Sequence, residues 1–185
     1  MKKSIFSAVV LLLIAACLLM GCNKASQPPK VIFVDGNADA SVQKLLFGKA
    51  VKDHDLPIIC IDSKAVMDEF NQTAREHCYT VEGANGEPVE LPTITPYNEA
   101  VAPYTEDFFK EKSLIVTYIW VNANPAEFEV SNISISDGKL TVLVDAFGFG
   151  VNAASTESFI FIEMPKSDLE GVTEFSATED MGEIW

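Results

Sequence analysis

The stretch LIVTYIWV, Leu114 to Val121, decides how the rest of this sequence is read. A strand with one wet face alternates polar and apolar residues, and this run of β-branched and aromatic side chains scarcely alternates at all. It reads as a central strand buried on both faces. Such a strand needs a neighbour on each side and an apolar layer above and below, and the flanking sequence must supply both. Downstream, Phe128–Ser136 and Lys139–Phe147 flank Asp137-Gly138, a two-residue signal for a type I′ hairpin, with Leu140, Val142 and Val144 on one face. SFIFIEM, Ser158 to Met164, supplies a further strand stopped by Pro165. Val172–Phe175 is expected to add an edge strand, and the acidic tail to Trp185 to fray.

Upstream, Val31–Val34 is a short apolar strand closed by the turn residues Asp35-Gly36-Asn37. SVQKLLFGKAVK, Ser41 to Lys52, stays open between helix and strand, because Val42, Leu45, Leu46 and Lys49 suit helical spacing while Gly48 and the clustered apolar residues suit a strand. Leu56–Ile61 reads as a strand that Pro57 can start but not interrupt. Ser63 then caps the best helix in the chain, with Val66, Phe70, Ala74 and His77 on one face and Asp68 and Glu69 on the other. From there to Pro103 the Gly, Pro and Asn content predicts a long irregular connection, with a turn at Asn85-Gly86. A short second helix begins near Thr105, with Phe108 and Phe109 turned inward. The expected class is α+β: a mainly antiparallel sheet or sandwich-like domain with one longer and one short helix.

The first residues have the form of an export signal. Lys2 and Lys3 give a positive start, Ile5–Met20 is almost unbroken apolar sequence, and Gly21 precedes Cys22. Leu19-Met20-Gly21-Cys22 resembles the lipobox of bacterial lipoproteins, in which the cysteine is acylated and becomes the new first residue. Ile14-Ala15-Ala16-Cys17 fits the same pattern more loosely but would leave a shorter apolar segment. An uncleaved membrane helix needs about 20 apolar residues, more than this run provides. The expected organisation is therefore a lipoprotein signal peptide over 1–21, a lipidated tether over 22–30 containing Pro28-Pro29, and one globular β-rich domain over 31–185. Cleavage removes 21 of 185 residues and leaves 164, enough for one domain with its own core.

Charge narrows the partners. The chain carries 27 acidic against 13 basic residues, a net charge of −14, and losing Lys2 and Lys3 takes it to −16. That charge repels phosphate backbones, and no basic stripe offsets it, so nucleic acid is not an expected partner. Cys17 leaves with the signal and Cys22 carries lipid, which leaves Cys60 and Cys78 to pair in an oxidising compartment. A helix from Ser63 to His77 would separate its ends by roughly 20 Å. A disulfide needs alpha carbons within about 7 Å, so pairing would require a shorter helix and a returning segment.

Motifs for chemistry are few. In VDGNADAS, Asp35, Asn37 and Asp39 reproduce the first half of a calcium loop, but Ala40 stands where a glycine must turn the chain and Leu46 where a carboxylate is needed. Turn chemistry is the better reading. His54 and His77 could meet Cys60 or Cys78 as a nucleophilic couple, yet adjacent His77 and Cys78 point apart and their setting is acidic. No short Cys or His pair starts a zinc site, and no P-loop, dinucleotide fingerprint or nucleophile elbow is present. No catalytic residue, metal site or cofactor is expected. AFGFGVNAASTES offers a loop in which Phe147 and Phe149 could anchor a partner, set against a kinked strand end whose phenylalanines fold back into the core.

YTEDFFKEKSLIVTYIW, SISDGKLTVLVDAFGFG and SFIFIEMPKSDLEG together resemble the C-terminal domain of the PrcB family, lipoprotein subunits of a spirochaete surface protease complex. Asp107, Phe108 and Phe109 match the aspartate-phenylalanine pair that precedes a long apolar strand in that family, and IDSKAVMDEF resembles its serine-led helix. Glu127-Phe128 stands where the family often has Gly-Tyr, and Glu157-Ser158 where a proline opens the final strand. The resemblance implies an antiparallel β domain with a helix, no catalytic centre, and a role in stabilising or assembling another envelope protein. The expected function is a membrane-anchored, non-enzymatic lipoprotein that binds an envelope or extracellular protein. An envelope hydrolase with an acidic or Cys/His site, and a purely structural envelope protein, are the alternatives.

Overall fold

The computed structural model describes residues 28–122, 126–148 and 155–181. Ten strands and four α-helices follow one another: β1 Lys30–Asp35, α1 Ala40–Phe47, β2 Asp55–Leu56, β3 Ile58–Ile61, α2 Lys64–Cys78, β4 Thr80–Glu82, β5 Pro88–Glu90, α3 Ile94–Val101, α4 Phe108–Glu111, β6 Lys112–Val121, β7 Ala126–Ser136, β8 Lys139–Gly148, β9 Thr156–Pro165 and β10 Glu174–Met181. Two four-stranded sheets carry the fold, one in the order β1-β9-β6-β3 and the other β2-β10-β8-β7, with β4 and β5 forming a separate hairpin. Every pairing is antiparallel except that of β10 with β8. The architecture is α+β and mostly antiparallel, as the sequence leads one to expect.

β6 explains the layering. It lies between β9 and β3, and its two faces feed different cores. Leu114, Val116 and Tyr118 point into a layer under the helices together with Phe159 and Phe161 of β9; Ile115, Ile119 and Val121 point into a layer between the two sheets together with Ile160 and Ile162. That is why LIVTYIWV shows no alternation: both faces are dry from Leu114 to Ile119, and of the stretch only Trp120, 44% exposed, is not buried. Thr117, fully buried, avoids an unmade hydrogen bond by donating to the Pro57 carbonyl at 2.7 Å. The helix-side layer is aromatic. Phe159 has ring neighbours in Phe47, Phe70, Tyr79, Tyr97, Tyr118 and Phe161, with centroids 5.2 to 6.5 Å away.

The hairpin at Asp137-Gly138 forms as the sequence predicts, with φ of 52° and 75° at its two central residues and Leu140, Val142 and Val144 fully buried. The Gly138 carbonyl then accepts hydrogen bonds from the Thr173 and Glu174 amides at 2.8 and 3.2 Å, which starts β10 alongside β8.

Several expectations need correction. Val172–Phe175 is not an edge strand: β10 begins at Glu174, runs to Met181 and lies inside its sheet between β2 and β8. Only Phe175 and Ala177 give its inner face an apolar pattern, and the third residue of that face is the acid Glu179, so the tail carries too little apolar signal to announce an interior strand. The connection to Pro103 is not irregular throughout. It contains the β4–β5 hairpin and α3, whose Pro96 falls in the first turn, where a missing N–H costs nothing. Ser41–Lys52 resolves in favour of helix: Asp39 caps α1 by accepting from the Ser41 and Val42 amides at 2.7 and 3.0 Å, and Gly48 ends it with φ of 74°. Those bonds, led by the Ser41 hydroxyl, hold the Asp39 carboxyl below its usual range. The calcium-like stretch is thus a helix cap. The buried face of α2 is Met67, Phe70, Ala74 and Cys78, with His77 exposed, so the inward stripe lies one residue further along than Val66 and His77 indicate. α4 starts at Phe108, with Thr105 accepting from its amide at 3.4 Å.

Candidate functional site

β1 is the last strand of one sheet and β7 the last of the other, and both open onto the same groove, about 1100 Å³ in volume. Its apolar wall comes from Val31 of β1, Met164 of β9 and Val130, Ile133 and Ile135 of β7. Pro28 and Pro29, just ahead of β1, also line it.

A charged floor closes one end. Glu163 is 7% exposed and receives Lys30 Nζ at 2.9 Å on one carboxylate oxygen and Lys112 Nζ at 3.0 Å on the other. The β register produces this: Lys30 is directly opposite Glu163 across β1 and β9, and Lys112 opens β6 next to it. Burial pushes the Glu163 carboxyl up, but the two ammonium groups outweigh it and hold the group below its ordinary value. Behind it, the Tyr104 hydroxyl is buried without a hydrogen-bond partner among the described residues; burial and then the nearby Glu163 charge raise its pKa. Sequence reading passes over this group, although one signal is present, since Glu163 is a lone acid inside the apolar run SFIFIEM.

In the second sheet, Glu179 of β10, beside the edge strand β2, is 9% exposed. Its Oε1 lies 3.4 Å from His54 Nδ1, and its Oε2 is buried with no partner among the described residues. Burial raises its pKa, against the opposing pull of His54. The main chain reinforces the contact through a 3.0 Å hydrogen bond from the Glu179 amide to the His54 carbonyl.

The cysteines and histidines do not converge. Cys60 packs on the inter-sheet layer and Cys78 inside the helix-side layer, on opposite faces of the same sheet, and both thiols are free. Burial pushes the Cys78 pKa to about 12, with smaller contributions from Asp39 and Glu157. A thiol held there stays protonated at neutral pH, the reverse of what an activated nucleophile requires. Among the described residues no group of three or more His, Cys, Asp or Glu could hold a metal ion.

Phe147 is 42% exposed at the end of β8, beside Glu127 of β7, and does not fold back into the core. Phe149 lies outside the described residues, as do Cys22 and the rest of the expected signal segment. Among the described residues no helix is long and apolar enough to cross a membrane. No family model matches the chain, no curated protein matches it, and no solved structure matches it.

Proposed function

We propose that this chain is an extracytoplasmic binding protein, anchored by an acylated Cys22 to a cell membrane or outer membrane, that holds or stabilises another envelope or extracellular protein without catalysing a reaction on it. The observation that carries the reading is the groove between the two free sheet edges, which begins at Pro28-Pro29, six residues from the lipobox cysteine. A partner bound there is gripped next to the point of attachment. The resemblance of Tyr104–Trp120, Ser134–Gly150 and Ser158–Gly171 to PrcB-type lipoproteins supports the same role from the side of sequence. Two features weigh against a catalytic role: burial raises the Cys78 thiol well above the range of an activated nucleophile, and His54 lies beside Glu179 rather than beside a cysteine.

Palmitate labelling in the native host tests the anchor. The parent chain takes up label and fractionates with membranes, and Cys22→Ser loses both. Label retained by Cys22→Ser, or parent chain recovered from the cytosol, overturns the anchored reading.

A further inference from the structure

Among the described residues, no strand or helix walls the inter-sheet layer on its β1–β7 side. On β7, Ile135, Ile133 and Val130 pair directly with Leu140, Val142 and Val144 of β8. Directly opposed residues of an antiparallel pair share a face, so all six point toward the core. Leu140, Val142 and Val144 are fully buried, yet Ile135 is 42% exposed and Ile133 and Val130 are only half-buried. The other sheet repeats the pattern. Phe33 of β1 is 39% exposed beside a fully buried Ile160, and Val31 is half-buried beside Ile162. Val130, Ile133 and Ile135 on one side and Val31 on the other therefore border the groove, and among the described residues no strand lies alongside the main-chain N–H and C=O groups of β7.

Resting on the binding role given above, we propose that β7 takes up an extended segment of a partner polypeptide as an added strand, with alternating apolar and basic side chains. The apolar residues of that segment cover Val130, Ile133 and Ile135 and close the inter-sheet layer. Main-chain groups pair with β7. The basic residues follow from charge. β7 contains two glutamates and no lysine or arginine. Glu129 pairs with Asp145 and Glu127 with Phe147, which places both glutamates on the outer face beside a third acid. A neighbouring strand brings its own outward side chains within about 5 Å of them. An acidic strand is repelled there. A second copy of this chain is disfavoured by a net charge of −14 on each molecule.

The test uses the full chain and a labelled decapeptide of alternating valine and lysine, close to the 11-residue length of β7. Two controls accompany it: alternating valine and glutamate, and a block peptide of five valines followed by five lysines. The alternating valine–lysine peptide is expected to bind and to slow amide exchange along β7, and each control to bind at least about tenfold more weakly. Glu127→Lys/Glu129→Lys reverses the order of the lysine and glutamate peptides. Ile135→Lys, at a position exposed enough to leave the fold intact by circular dichroism, weakens both. Equal affinity for the block peptide, protection elsewhere than β7, dimerisation through β7, or displacement of the peptide by cis-parinaric acid overturns the proposal. Photo-crosslinkers at Ser134 on β7 and at Glu76 on the exposed side of α2, in native membranes, separate the two readings. A partner caught from Glu76 but not Ser134 overturns the β7 site and leaves the binding role standing. No partner from either position removes the binding role as well.

Discussion

The two core layers on either side of β6 are built differently. The helix-side layer is aromatic and enclosed on every described side: four helices cover it, and Phe159, Phe161, Tyr79, Tyr97 and Tyr118 are fully buried. The inter-sheet layer is aliphatic, built from Ile, Leu and Val, and its β1–β7 side stands open to the groove. Large rings with polar tips need specific partners, and three of the four buried tyrosines find them: Tyr79 donates to the Asp35 carbonyl at 2.9 Å, Tyr97 to Asn71 at 2.7 Å and Tyr118 to Glu157 at 2.5 Å, while the Tyr104 hydroxyl has none among the described residues. Aliphatic side chains carry no such demand and tolerate a wet margin. The closed layer therefore fixes the fold, and the open layer is where the molecule has apolar surface left to offer.

The sharpest break in that comparison is Phe159→Ala. It removes the ring at the centre of the aromatic layer and is expected to cost about 3–5 kcal/mol in urea denaturation. A loss below about 1 kcal/mol would mean the layer is not close-packed. Next comes a matched pair across the open side. Leu140→Ala, fully buried, should cost about 2–4 kcal/mol, while its direct cross-strand neighbour Ile135→Ala, 42% exposed, should cost about 1 kcal/mol or less. Equal losses would show that the groove is closed in solution.

Gly36→Ala probes how little slack the closed layer has. A Cβ there would come within 2.5 Å of the Tyr79 hydroxyl and 2.7 Å of the Phe159 ring, both held by their own packing, so about 1–3 kcal/mol of destabilisation is expected. Denaturation midpoints at fixed pH measure it.

The smallest effects come from the two buried acids, and they run in opposite directions. Glu163 has a lowered pKa, so its ion pairs contribute stability above the ordinary carboxylate value of 4.5 and lose it as pH falls below that. Glu163→Gln should cost about 1 kcal/mol at pH 7, since both lysines remain half in water, and progressively less as pH falls below 4.5. Glu179 has a raised pKa, so its contribution is present below 4.5 and is lost as pH rises through the higher folded value. Glu179→Gln should therefore stabilise by about 1 kcal/mol at pH 7, an advantage that vanishes below pH 4.5. Paired urea titrations at pH 7 and pH 4 decide both signs.

Most of the regular β structure was legible because its signals are local. Asp137-Gly138 specifies a turn by the φ values its residues tolerate, and the unbroken apolar run of β6 announces two dry faces wherever it is placed. α1 was ambiguous for an equally local reason. The cap that settles it, Asp39, reads in sequence as half of a cation loop, and nothing short of the backbone path distinguishes an oxygen aimed at helix amides from one aimed at a metal. The candidate site was scarcely legible. Glu163 was passed over although it is an acid within SFIFIEM, and Lys30 and Lys112 are ordinary lysines until β1 and β6 bring them to it from 133 and 51 residues away.

By itself the sequence determined the hairpin at Asp137-Gly138, the helix capped by Ser63 and the central strand Leu114–Val121, because these follow from side-chain period and backbone preference within a few residues. Only the tertiary structure decided that Cys60 and Cys78 fall on opposite faces of one sheet, that β10 inserts beside β8, and that β1 and β7 both end at one groove. Those outcomes depend on which edges are left over once every strand has found its neighbours, and sheet order is a sum of long-range contacts that no single segment encodes.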